Sequence, residues 1–120
     1  MIQQNELPGI DLELIDELKD TLGTGFIELI DIFLDDSPTQ IERMANSIDT
    51  GDMSGTRSCA HTLSGSCSNF GANRLTEICS RLRSACKANA SKDELIEILS
   101  EIQLEYKTVA SSVEKLRDTV

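Results

Sequence analysis

The chain has 120 residues, with no Trp, three Phe and one Tyr, which is enough for a single domain over 1–120 with a modest, aliphatic core. No run approaches the ~18 apolar residues of a membrane span, and the acidic N-terminal stretch MIQQNELPGIDLELIDE lacks a signal-peptide layout. The expected setting is therefore cytoplasmic, without direct membrane insertion, and the net charge of −10 argues against nucleic acid, whose phosphates it would repel.

The periodicity is helical almost throughout. Ile10, Leu14, Ile15, Leu18 and Leu22 predict a short first helix that stops near Gly23. Phe26, Leu29, Ile30, Phe33, Ser37, Ile41, Met44 and Ile48 predict a long second helix to about Asp49, with Pro38 inside it and expected to kink it. The stretch DTGD at 49–52 reads as a turn. A third helix over about 52–69 carries Cys59, Ala60, Leu63, Cys67 and Phe70 on its apolar stripe, and Gly71 is expected to end it. The fourth starts near Ala72, with Leu75, Ile78, Cys79, Leu82 and Cys86. In NASKDEL, Ser91 followed by Glu94 forms a capping box. The fifth helix then carries Leu95, Ile98, Leu99, Ile102, Tyr106, Val109, Val113 and Leu116. The expected fold is all-α, an antiparallel up-down four-helix bundle with a short additional N-terminal helix capping one end.

The four cysteines follow no zinc-site spacing, and each is placed on an apolar stripe. They are expected to be reduced core thiols, and no metal site is expected. Charge is uneven: residues 1–50 hold twelve acids and two bases, whereas 57–87 hold Arg57, Arg74, Arg81, Arg83 and Lys87 against Glu77 alone.

The single histidine lies in that basic stretch, within AHTLSGSCSNFG. At 100° per residue His61 points away from Leu63 and Cys67 and shares a face with Arg57, Ser58, Ser64, Gly65 and Ser68. Gly65 clears the space one turn on, at a helix cost of roughly 1 kcal/mol, and Ser64 and Ser68 offer hydroxyls to an anion. No Asp or Glu lies within a turn on this face, so neither a Ser-His-Asp arrangement nor acid-base catalysis is completed locally. Nucleophilic capture of a phosphoryl group needs fewer parts: an accessible imidazole, donors and positive charge.

The segment AHTLSGSCSNFGANRLTEICSRL, residues 60–82, resembles the motif of the histidine phosphotransfer (HPt) domain family, with His61, Leu63, Gly65, Ser66, Gly71, Ala72 and Leu75 in register. FIELIDIFLDDSPTQIERM and SIDTGD are similar to the family's second helix and to the turn before its histidine helix, so the resemblance extends over most of the chain. It implies a four-helix bundle and a phosphocarrier, not an enzyme. His61 would accept a phosphoryl group from the aspartate of one response-regulator receiver domain and pass it to another. Gly65 would let the receiver approach, and Mg²⁺ would reside in the receiver, leaving the bundle without a cofactor of its own. Such a domain stands alone or forms part of a hybrid sensor kinase, and a monomer already holds a complete site. Where the family usually has lysine, three residues after the histidine, this chain has Ser64. Arg83 and Lys87, four residues apart on the next helix, are the candidates to replace that charge. The alternatives are a docking module that binds receivers without being phosphorylated, and the phosphoacceptor domain of a chemotaxis-type kinase.

Overall fold

A computed structural model describes residues 7–118; the N-terminal residues 1–6 and the outer limits of the expected 1–120 domain lie outside it. Five helices follow one another: α1 (Leu12–Leu22), α2 (Gly25–Thr50), α3 (Met53–Ser68), α4 (Asn73–Lys87) and α5 (Lys92–Asp118). Among the described residues there is no strand, and no helix is long and apolar enough to cross a membrane.

Local chemistry sets the helix ends. The Asp11 side chain accepts from the amides of Glu13 and Leu14, capping α1. Asp52 accepts from the Gly55 amide at 2.9 Å and starts α3. Ser91 accepts from Glu94 at 3.2 Å ahead of α5. Gly51, at φ +79°, takes the left-handed conformation that closes α2.

Two expectations shift. Ile10 is buried but precedes the Asp11 cap, so it belongs to an N-terminal strap and not to α1. Phe70 lies beyond the end of α3, fully buried in the turn to α4. α2 runs as one helix from Gly25 to Thr50 with Pro38 within it.

α3 packs against α2 and α4, and α5 packs against α4 and back against α2, so four helices close a ring. The connections are two residues between α2 and α3 and four at each of the next two junctions. α1 rests on α2. The molecule measures 45 × 25 × 18 Å; the 26 residues of α2 alone, at about 1.5 Å each, span most of its long axis. The interior is mainly aliphatic and thiol, including Ile30, Met44, Leu63, Cys67, Leu75, Cys79, Leu82 and Ile102. Its aromatic part is a small cluster: Phe33 meets Phe70 at 5.0 Å and Tyr106 at 5.9 Å. Cys67, Cys79 and Cys86 are buried free thiols, while Cys59 sits half-buried at the edge of the stripe.

Candidate functional site

α3 divides into two faces because its apolar residues recur every three to four positions. Ala60, Leu63 and Cys67 are buried, and His61 projects outward between them into solvent. Thr56 is also buried, where its hydroxyl meets Ser47 of α2 at 2.6 Å and donates to the Asp52 carbonyl. These contacts fix the rotation of α3, and with it the direction of the imidazole.

His61 opens onto a groove of about 350 Å³ lined by Ser54, Arg57, Ser58 and His61 of α3 and by Arg83 and Lys87 of α4. The α3 residues fall at i, i+3, i+4 and i+7, one continuous stripe. Arg83 and Lys87 stand one turn apart on the neighbouring helix. The structure thus brings together His61, Arg83 and Lys87, which sit 22 and 26 positions apart in sequence. No carboxylate lines the groove.

The other basic residues of this stretch are committed elsewhere. Arg81 makes a two-pronged bond to Glu101 at 2.9 and 3.0 Å, and Arg74 lies 3.6 Å from Glu105. Among the described residues Arg57, Arg83 and Lys87 take part in no ion pair. Their positive charge is left to the groove.

Toward the C-terminal end of α3 the face is bare. Gly65 is exposed, and a Cβ built on it would meet nothing within 4 Å. Ser68 donates its one hydroxyl proton to the Gly65 carbonyl at 2.8 Å. Ser64 is half-buried, and neither serine lines the groove. The sequence-derived supporting residues therefore divide in two: Arg83 and Lys87 line the groove with the imidazole, while Ser64, Gly65 and Ser68 lie outside it toward the C-terminal end of α3. Arg57 and Ser54 carry no assignment from sequence. Their signal was available in the spacing of four and seven residues before His61.

The thiols near the site are chemically quiet. Burial pushes Cys79 up to about 12 and raises Cys67 further, leaving both as neutral thiols. Burial also raises Cys86, and the Arg57 guanidinium pulls it part of the way back.

A family model described as the Hpt domain matches residues 28–116. Histidine-containing phosphotransfer protein 2 of Arabidopsis thaliana is 27% identical over 104 residues, covering 83% of this chain; the chain spans 66% of that protein's length. The fold is similar to that of histidine-containing phosphotransfer protein B from Pseudomonas aeruginosa PAO1, with a TM-score of 0.86 at 21% identity over 94% of this chain and 97% of that one. It is also similar to the HPT domain of a sensor hybrid histidine kinase from Shewanella, with a TM-score of 0.78 at 20% identity, covering 95% and 97% of the two chains.

Proposed function

The chain belongs to the Hpt domain family, and from that premise we propose that His61 is the phosphoacceptor of a phosphorelay carrier that exchanges its phosphoryl group with receiver-domain aspartates. The observation that carries this reading is the exposed imidazole, set in a groove that no carboxylate lines and whose three cations make no ion pair among the described residues. A neutral ring nitrogen attacks the phosphorus of an aspartyl phosphate. The N–P bond forms as the P–O bond breaks, and the aspartate leaves as its carboxylate. The reverse step delivers the group to a second receiver.

Arg83 and Lys87 stabilise the charge on the moving group. The groove's donors are cationic and hydroxyl side chains, which do not suit a divalent metal, so Mg²⁺ belongs with the receiver. The bare strip at Gly65 receives the partner's backbone. The scaffold is an antiparallel up-down bundle, a reading supported by its two- and four-residue connections and the ring of contacts. A single copy holds all the parts. The free thiols suit a reducing cytoplasm.

The test is transfer of label from a phosphorylated receiver domain to this protein and to its His61→Gln variant. The expected result is acid-labile, base-stable phosphate on the native protein alone. Binding without label, across several receivers, would overturn the carrier reading in favour of a docking module.

A further inference from the structure

We infer that Arg57 holds the tetrahedral oxyanion at His61, closing a three-cation anion site with Arg83 and Lys87 that binds inorganic phosphate as well as the phosphoryl group. The second part of this claim rests on the carrier reading above; the first does not. Four observations converge. Arg57 precedes His61 by four residues, one helical turn on the same stripe. It lines the same groove as His61, Arg83 and Lys87. It forms no ion pair among the described residues, while two neighbouring arginines are neutralised by Glu101 and Glu105. Its positive charge also acts on the Cys86 thiol of α4, lowering a pKa that burial raises.

Three like charges around one open groove repel one another, and no acid of the groove offsets them. An oxyanion relieves that repulsion. A phosphoryl group adds about −1.5 to −2 charge and three strong acceptor oxygens, and a guanidinium presents its donors in a planar fork suited to two of them. The position three residues after His61, by contrast, carries a half-buried serine outside the groove. The anion is therefore drawn toward the N-terminal half of α3 and across to α4, which leaves the Gly65 side free for the partner.

The experiment titrates inorganic phosphate into the unphosphorylated protein while the His61 ring resonances are followed by NMR. Native protein, Arg57→Gln, Arg57→Lys and a charge-matched control on α5, Lys107→Gln, are compared. Phosphate should shift the His61 ring in the native protein. Arg57→Gln should weaken the apparent affinity several-fold, Arg57→Lys should recover most of it, and Lys107→Gln should leave it unchanged. In receiver-labelled protein the phosphohistidine of Arg57→Gln should hydrolyse several-fold faster than that of Arg57→Lys. Absence of any phosphate shift at His61, or equal affinity in Arg57→Gln and native protein, overturns the anion site. Phosphate binding through Arg57 together with failure of every receiver to label His61 would leave the anion site standing and remove the carrier reading. Normal labelling with an unchanged phosphohistidine lifetime in Arg57→Gln would do the opposite.

Discussion

Two glycines six residues apart illustrate how different physical reasons select the same side chain. Gly71 is required by the fold: its φ is +65°, and an added Cβ would run into Asp11, with the Asp11 amide nitrogen at 3.2 Å and its Cα at 3.3 Å. Gly71→Ala should cost about 1–3 kcal/mol through left-handed strain and displacement of the α1 cap, read as a lower midpoint in urea. Gly65 has the ordinary backbone of a helix interior and open space around it. Nothing in the free protein needs it bare, and it weakens α3 by roughly 1 kcal/mol relative to alanine. Gly65→Gln should therefore raise stability by ~0.5–1 kcal/mol and yet abolish transfer from a receiver, because the long side chain would fill the bare strip proposed to receive the partner. A variant that gains stability and still transfers at the native rate would show that the receiver approaches elsewhere. From sequence Gly71 reads as the end of α3 and Gly65 as a position kept bare; the positive backbone angle and the neighbouring Asp11, 60 positions away in sequence, add the reason Gly71 admits no larger side chain.

At the scale of the helix, what sequence revealed was what local chemistry decides. Ser91 caps the helix it precedes, as its spacing from Glu94 predicts, because a side-chain oxygen three residues ahead of an amide needs no tertiary partner; Asp52 does the same for α3, although DTGD by itself reads only as a turn. Spacing alone fails where the chain leaves the helix but stays in the core. Ile10 and Phe70 keep helical register with their neighbours and are buried, yet both lie in the segments joined by the Asp11 amide to Phe70 carbonyl bond of 3.1 Å. That bond spans distant parts of the sequence and leaves no periodic trace. Pro38 is the converse case, a local cost inside a helix that the packing holds together. Its ring supplies no N–H to the Leu34 carbonyl, but Phe33, Ser37, Ile41 and Met44 are buried on both sides and hold α2 continuous. Pro38 itself is exposed. Pro38→Ala should restore the missing bond and stabilise the protein by about 2 kcal/mol, the ~3 kcal/mol of helix propensity less ~1 kcal/mol for the freer unfolded chain. Thermal melts would show it as a higher midpoint, and a lower midpoint would mean that the proline ring packs in the groove it shares with Ile41 and Tyr106.

For the whole molecule, the all-helical class and the membership of the core were legible because five amphipathic stripes had to bury one another; the tie between the two ends was not. Ser112 donates to the Pro8 carbonyl at 2.6 Å across 104 positions, beneath a strap whose Leu7 and Ile10 are buried. The site was half legible for a similar reason. His61 and its own face, Arg57 included, follow from one helix, whereas the assignment of Arg83 and Lys87 to the groove, and of Arg74 and Arg81 to carboxylates of α5, depends on how α3, α4 and α5 meet. The choice of thiols and a single tyrosine to fill this interior also sets how the fold responds to alkali. Cys67 and Cys79 are fully buried, and burial raises both thiols from 9.0, Cys79 to about 12; the half-buried Tyr106 rises from 10.0 to about 12. In each case the neutral, protonated form is the one the native state favours. Below pH 9 the folded and unfolded chains both hold these protons, and stability does not depend on them. As pH rises past 9 the unfolded chain releases its thiol protons while the native core keeps them, so unfolding gains up to roughly 1.4 kcal/mol per pH unit for each buried thiol. Tyr106 adds to the slope above pH 10. The urea midpoint should stay level with respect to these groups through neutral pH and fall steeply from pH 9 to 12. Replacing Cys67 and Cys79 together by alanine should lower stability at pH 7 through the cavities left behind but flatten the alkaline decline. An equally steep decline in that double variant would place the alkali-sensitive protons elsewhere in the molecule.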